Sequence, residues 1–185
     1  MSDRPKVLLL GDSIRLSYQP RVAELLADEF EVVGPTDNGR FALYTSMRLP
    51  AYVAECGEPD IVHWNNGIWD CGINIARGPH QFSTHDYLLN LLTIADHLRD
   101  NFEAQVLFAT MTPIKPVDVL ARDGPWTWKR KEMQQYNARA VELMAELEIP
   151  VNDLWWVIDA DREQYLADDE LHLSEQGVEV AAHRV

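Results

Sequence analysis

Two short segments near the ends of the chain carry residue types that can work together in nucleophilic catalysis. Near the start, the apolar run 7–10 leads into Gly11-Asp12-Ser13-Ile14. Near the end, Asp169 stands three residues before His172. A serine hydroxyl becomes a good nucleophile when a base takes its proton, and a histidine base needs a carboxylate to orient its ring. Ser13, His172 and Asp169 are therefore candidates for the catalytic residues of a serine hydrolase.

Each segment also has an ordinary structural interpretation. A serine just after a strand often serves as a turn residue or as the N-cap of the following helix. The acidic run 168–170 is also typical of an exposed surface loop, in which His172 would have no catalytic partner. The first segment is not Gly-x-Ser-x-Gly, so the sharp turn of the α/β-hydrolases is not predicted for Ser13. From these residues alone, both interpretations stay open.

The elements between the two ends predict an α/β protein. The predicted strands cover Lys6–Leu10, Glu31–Val33, 60–64, Gln105–Ala109 and 150–154. The predicted helices cover 18–28, 84–98, 128–148 and 174–183, and a proline-rich loop covers 113–125. Ser83 and Thr84 are the predicted N-cap residues of the second helix. This alternation predicts one domain over residues 1–185, with three α/β/α layers in a flavodoxin-like arrangement around a mostly parallel five-stranded sheet.

Polar residues follow several of the predicted strands. Ser13 follows the first strand, Asn65 and Asn66 follow the third, and a loop follows Ala109. In a parallel sheet the ligand site lies beyond the carboxyl ends of the strands. We therefore expect these residues to converge at one edge of the sheet.

Composition narrows the class of partner. The chain has a formal net charge of -14, with 46% hydrophobic residues. Such a charge disfavours binding to nucleic acid or to an anionic membrane surface, because like charges repel. No stretch is long enough to span a bilayer and no secretory signal is predicted, so we expect a cytoplasmic protein with no membrane partner. Two cysteines, Cys56 and Cys71, predict free thiols rather than a disulfide framework.

No cofactor or metal is predicted. His80, His85 and His97 have no ligand partners at a spacing typical of a metal site, and Cys71 stands apart from other ligand types. His63 lies within the third predicted strand and is more typical of a core histidine.

The chain resembles members of the SGNH hydrolase superfamily, also called GDSL-type esterases. Gly11-Asp12-Ser13-Ile14 is similar to the first block of that family, and Asp169-Glu170-Leu171-His172 is similar to the last. The resemblance implies a triad of Ser13, His172 and Asp169. It also implies an oxyanion hole made by the Ser13 N–H, a glycine N–H after the second strand and an asparagine side chain, and Gly39 is the best candidate for the glycine.

The asparagine block departs from the family pattern. The family usually has Gly-x-Asn-Asp after the third strand, whereas this chain has Asn65-Asn66-Gly67-Ile68-Trp69-Asp70. Gly67 and Asp70 align, and Trp69 takes the place of the asparagine. Side chains alternate between the two faces of a strand, so only one of Asn65 and Asn66 can be directed at the site. Asn65 is the preferred substitute donor and Asn66 is the second choice. Alternatively, both asparagines merely cap the strand.

Tryptophans near the predicted site are candidates for substrate contacts. Trp69, Trp126 and Trp128 can stack on sugar rings or hold acyl groups, although tryptophans equally often fill the core. Arg40 can contact an acidic substrate, and pairing with Asp37 is its alternative role.

The expected reaction is hydrolysis of a short-chain ester, an acetyl ester of a carbohydrate in particular. The partner is then a small-molecule or oligosaccharide ester. An acyl thioesterase, a lysophospholipase-type enzyme and a non-catalytic binding protein with the same fold are the alternatives. The oligomeric state does not follow from the sequence.

Overall fold

A computed structural model of the protein describes residues 4–76, 78, 80–121 and 125–185. The strands are β1 (Lys6–Leu10), β2 (Glu31–Val33), β3 (Ile61–Asn65), β4 (Ile73–Asn74), β5 (Gln105–Ala109), β6 (Val119–Ala121), β7 (Trp126–Lys129) and β8 (Val151–Asn152). The helices are α1 (Ser13–Leu25), α2 (Ala42–Cys56), α3 (Ile68–Cys71), α4 (Thr84–Asn101), α5 (Arg130–Glu146), α6 (Leu154–Asp159), α7 (Arg162–Tyr165) and α8 (Glu175–Arg184).

The central element is a five-stranded sheet in the order β2-β1-β3-β5-β8, and all its neighbouring strands are parallel. Leu8, Leu9 and Leu10 of β1 have no exposed surface. Consecutive buried residues are typical of a parallel strand, because helices cover both faces of such a sheet. The predicted α/β fold is confirmed.

Helices cover the sheet in two groups. Helix α1 packs against α8, which also contacts α6 and α7, whereas α2 packs against α4 and α4 against α5. The predicted cap of α4 is confirmed, since the Ser83 hydroxyl accepts a hydrogen bond from the Asp86 N–H. The ends of the other helices differ from prediction. Helix α1 begins at Ser13 rather than at residue 18, and α5 begins at Arg130 rather than at residue 128.

A second, smaller sheet occupies part of the segment predicted as a loop. Strands β4, β7 and β6 pair antiparallel in that order. Pro113, Pro116 and Pro125 favour a loop, but β6 lies between the second and the third of them, and residues 122–124 lie outside the described part of the chain. Trp126 and Trp128 belong to β7 instead of the start of a helix, so this sheet carries two of the candidate site residues.

Helix α2 was not predicted, and its N-terminus depends on a distant residue. Its N-cap residue, Phe41, has no side chain that can accept a hydrogen bond from the first turn. The carboxylate of Asp70 accepts one from the Ala42 N–H instead, at 3.0 and 3.2 Å to its two oxygens. A cap that is 28 residues away leaves no local signal in the sequence.

Within the described residues, no helix is both long enough and apolar enough to cross a lipid bilayer.

Candidate active site

Ser13 lies where β1 ends and α1 begins. Gly11 has a φ of 153°, and a Cβ at this position would lie 2.9 Å from the Cβ of Arg15, so glycine suits the turn. The Asp12 side chain caps α1 by accepting a hydrogen bond from the Ile14 N–H at 2.9 Å. Ser13 is consequently the first residue of the helix, where a backbone N–H has no partner within the helix. The turn thus presents both the hydroxyl and the N–H of Ser13.

Ser13, His172 and Asp169 form a continuous chain of hydrogen bonds. The Ser13 Oγ lies 2.9 Å from the Nε2 of His172, and the Nδ1 of His172 lies 2.5 Å from the Oδ2 of Asp169. In a neutral imidazole protonated at Nδ1, the ring donates to Asp169 and accepts from the serine hydroxyl. This is the arrangement that a serine nucleophile, its base and the carboxylate that orients the base require.

A tight turn holds Asp169 and His172 together. The Oδ1 of Asp169 accepts hydrogen bonds from the N–H groups of Leu171 and His172, at 3.1 and 2.9 Å. The Ala167 N–H donates to the carbonyl of His172 across the turn. Partial burial by itself raises the pKa of Asp169, but the hydrogen bonds from the His172 ring and these N–H groups outweigh it and lower the pKa to about 2. Asp169 is therefore an anion at neutral pH.

A cavity of about 250 Å³ opens beside Ser13 and His172. One part of its wall is aromatic and consists of Trp69, Trp126 and Trp128. The other part is aliphatic and consists of Ile14, Ile68 and Leu171, which sequence reasoning missed. These three are isolated apolar residues in or next to the motifs, and only their placement shows that they line the site. The cavity is thus mainly apolar, with the serine–histidine pair at its side.

The tryptophans of the wall hold one another in place. The Trp69 and Trp126 rings meet edge to face with centroids 6.4 Å apart. The Nε1–H of Trp128 donates to the carbonyl of Ile68 at 2.8 Å, which ties the small sheet to α3. Trp128 is 8% exposed, so it contributes more to the core than to the cavity surface.

The oxyanion donors expected besides Ser13 are occupied with other protein groups. The Gly39 N–H donates to the carbonyl of Gly11 at 3.0 Å. The Asn65 amide donates to the carbonyls of Ala109 and Thr110, at 3.0 and 3.1 Å. This geometry does not present Gly39 or Asn65 to a substrate, and their role in an oxyanion hole stays a prediction.

Asn66 is similarly engaged. Its amide nitrogen donates to the Arg40 carbonyl and to the Thr45 Oγ1, each at 3.1 Å, and its oxygen accepts from the Trp64 indole at 2.8 Å. The side chain therefore connects β3 to the start of α2. Its role as an oxyanion donor likewise stays a prediction.

Arg40 does not line the cavity. Its side chain is exposed, and its guanidinium carbon lies 4.7 Å from the centroid of the Tyr44 ring. Burial raises the pKa of Asp37, but the hydrogen bonds that its carboxylate accepts outweigh burial and lower the pKa. The positive charge of Arg40 adds to this lowering. The structure therefore favours the alternative role of Arg40, an electrostatic interaction with Asp37, over contact with a substrate at Ser13.

Two buried carboxyl groups lie next to the site. Burial raises the pKa of Asp12 to about 6, against the lowering effect of its hydrogen bond from the Ile14 N–H. Burial likewise raises the pKa of Asp70 to about 7, with a smaller contribution in the same direction from Asp12. The sequence marked Asp12 and Asp70 only as parts of motifs, and nothing in their local pattern indicates burial.

Among the described residues, no group of three or more His, Cys, Asp or Glu side chains is arranged to hold a metal ion.

Comparison with known proteins identifies the family. Residues 9–180 match the sequence model of the GDSL-like Lipase/Acylhydrolase family. The chain belongs to the GDSL-like lipase/acylhydrolase family. This GDSL-like hydrolase is accordingly an enzyme that acts on carboxylic esters, as the resemblance of its motifs predicted. A comparison with curated protein sequences finds no match.

Solved structures similar to this GDSL-like hydrolase share its fold. An acetyl xylan esterase superimposes with a TM-score of 0.76 and 18% identity, covering 97% of this chain and 96% of the other. The lipase/acylhydrolase from Enterococcus faecalis has a TM-score of 0.74 and 19% identity, covering 97% and 92%. An acetylxylan esterase from Geobacillus stearothermophilus has a TM-score of 0.73 and 19% identity, covering 97% and 91%.

Proposed function

We propose that this enzyme removes a short acyl group, an acetyl group in particular, from a carbohydrate, and that Ser13, His172 and Asp169 are its catalytic triad. The observation that carries the proposal is the hydrogen-bonded chain from the Ser13 Oγ through His172 to Asp169. It lies at the side of a cavity with room for a small substrate group.

The geometry supports an acyl-enzyme mechanism. The Ser13 Oγ attacks the ester carbonyl while its proton passes to the Nε2 of His172. The carbon–oxygen bond to the alcohol then breaks, and the alcohol leaves with the proton from Nε2. Water attacks the acyl-serine with His172 again as the base, releasing the carboxylic acid and free Ser13. Throughout, the Asp169 anion stabilises the imidazolium and maintains the ring orientation.

The size of the cavity favours a short acyl group. Pockets that enclose drug-sized ligands have volumes of roughly 300–1,000 Å³, and this cavity has about 250 Å³. The aliphatic side chains Ile14, Ile68 and Leu171 lie on its wall together with the serine, which suits a methyl group better than a polar one. A long acyl chain would extend out of the cavity into solvent.

The aromatic wall favours a carbohydrate as the alcohol. Trp69 and Trp126 are partly exposed at the cavity, and the apolar face of a sugar ring packs well on an indole. A net charge of -14 disfavours an anionic lipid headgroup. Two of the similar solved structures are acetylxylan esterases by name, which is consistent with this substrate class.

Substitutions in the triad test the catalytic part of the proposal. Ser13→Ala should lower kcat on a short acyl ester by several powers of ten. The remaining rate would be the catalysis that substrate binding and the oxyanion donors supply without a nucleophile. Ser17→Ala is the matched control, because the Ser17 hydroxyl lies on the same helix and donates to the Ile14 carbonyl. Near-normal turnover by Ser13→Ala would refute the triad.

A substrate panel tests the specificity. Acetate release from acetylated xylo-oligosaccharides should exceed turnover of an octanoyl ester, a lysophospholipid and an acyl thioester under the same conditions. Trp126→Leu should raise KM for the sugar ester and leave KM for a small acetyl ester nearly unchanged, because the sugar is the only part of the substrate expected to reach Trp126. Turnover of the thioester or the lysophospholipid without turnover of sugar acetates would refute the carbohydrate assignment.

A further inference from the structure

The oxyanion of the proposed reaction needs hydrogen-bond donors in addition to the Ser13 N–H. As the Ser13 Oγ bonds to the carbonyl carbon, the π electron pair moves onto the carbonyl oxygen, and donors already in position lower the energy of that charge. The donors expected from the sequence are engaged elsewhere: the Gly39 N–H donates to the Gly11 carbonyl, and the Asn65 amide donates to two carbonyls. Asn66 is similarly committed.

Recruiting either asparagine would be costly. Turning the Asn65 amide toward the substrate would break its hydrogen bonds to the carbonyls of Ala109 and Thr110, both of which are buried residues. A buried polar group that loses its partner costs about 1–3 kcal/mol. Donors without such commitments are therefore better candidates.

The side-chain N–H groups that line the cavity narrow the choice. Trp128 donates to the Ile68 carbonyl, and the His172 ring is bonded to Ser13 and Asp169. The remaining two are the indole N–H groups of Trp69 and Trp126, neither of which has a hydrogen-bond partner among the residues that the structure describes.

Position in the fold favours Trp69. It lies in α3, directly after β3, and β3 pairs with β1, the strand that leads into Ser13. Trp126 lies in β7 of the small sheet, with its ring against Gly72 and the ring of Trp69. Both Trp69 and Ser13 thus follow the carboxyl ends of adjacent strands, where an oxyanion formed on Ser13 would lie.

We propose that the indole Nε1–H of Trp69 donates a hydrogen bond to the oxyanion formed on Ser13. The Ser13 N–H is the second donor, and the indole proton stays on nitrogen throughout. Asp70 holds the segment that carries Trp69, because its carboxylate binds the Ala42 N–H at the start of α2. This inference rests on the proposed function, since it assigns a donor for the same serine.

Removing only the indole N–H is the sharpest test. Replacing Trp69 by benzothienylalanine keeps the bicyclic ring and its packing against Trp126 but has no N–H. We expect kcat for an aryl acetate to fall by about 10²–10³-fold, the usual loss for one oxyanion donor, with KM changed by less than about two-fold. Trp69→Phe should show the same loss. Trp156→Phe is the matched control, because Trp156 is 72% exposed and outside the cavity.

The outcomes separate this inference from the proposed function. If the parent enzyme hydrolyses the aryl acetate and a fluorophosphonate labels Ser13, but the benzothienylalanine variant keeps kcat within about two-fold, the role of Trp69 is refuted and the triad stands. An increase of KM alone in that variant also refutes it, since it indicates a surface for substrate binding. If the parent enzyme shows neither turnover nor labelling, the proposed function is refuted, and the role of Trp69 is refuted with it because it depends on that function.

Discussion

The buried carboxyl group of Asp70 should make the protein less stable as the pH rises. Burial raises the pKa of Asp70 from 3.8 to about 7, although the hydrogen bond from the Ala42 N–H acts in the opposite direction. The folded protein therefore holds the proton more tightly than the unfolded chain does. The contribution of protonated Asp70 to the free energy of unfolding is therefore fully present below about pH 4 and is lost as the pH rises through about 7.

The size of the effect follows from the two pKa values. At about 1.36 kcal/mol per pH unit, the difference between 3.8 and about 7 corresponds to about 4 kcal/mol. Such a value is large against the 5–15 kcal/mol by which native proteins are typically stable. Asp70→Asn removes the ionisation and keeps an oxygen that can accept from the Ala42 N–H. Its new amide hydrogens cost about 1–3 kcal/mol if they find no acceptor, but that cost is the same at every pH.

Urea unfolding of the parent and of Asp70→Asn over the same pH series measures the effect. Between about pH 4 and about pH 8, the difference in unfolding free energy should move in favour of the variant by about 4 kcal/mol. Asp168→Asn is the matched control, because Asp168 is exposed and its variant should follow the parent curve. Parallel curves for the parent and Asp70→Asn would refute the burial argument.

Three further substitutions test the turn that carries His172 and the helix ends. Asp169→Asn should lower kcat by about 10⁴-fold in an esterase assay. Asp168→Asn is the control and should keep the kcat of the parent enzyme, so equal rates for the two variants would contradict the role of Asp169. Gly177→Ala should lower Tm, because its Cβ would lie 2.0 Å from the Tyr165 carbonyl oxygen and push α8 away from α7; an unchanged Tm would show that this close approach is absent. Ser83→Ala should reduce the unfolding free energy by about 1 kcal/mol through loss of the α4 cap, measured by urea unfolding, whereas Ser83→Asn should retain most of it.

Local patterns predicted much of the sheet. Strands β1, β2 and β5 have the predicted bounds, because runs of buried apolar residues bounded by turn residues are strong signals in a parallel sheet. Helix α4 was also predicted, since Ser83 and its apolar spacing lie within one stretch of chain. Helix α2 and the small sheet were missed. The cap of α2 comes from Asp70, and β7 pairs with residues far away in the sequence.

The oxyanion donors could not be assigned from the sequence for the same reason, which is that their partners are distant in the chain. The sequence offers Asn65 and Asn66 at the end of β3, but it does not tell which acceptors their amides meet. Those acceptors lie in other parts of the chain, on β5 and at the start of α2 for example, so they exist only once the sheet and helices have packed.

By itself, the sequence determined the family, the α/β sheet and the two segments with Ser13 and the Asp169–His172 turn, because each depends on residues that are neighbours in the chain. Only the tertiary structure decided that the Ser13 hydroxyl lies 2.9 Å from His172, that three tryptophans close one side of the cavity and that Gly39, Asn65 and Asn66 donate elsewhere. Hydrogen bonds and burial depend on distance in space, and the packing of β1, α3, β7 and the last turn sets those distances.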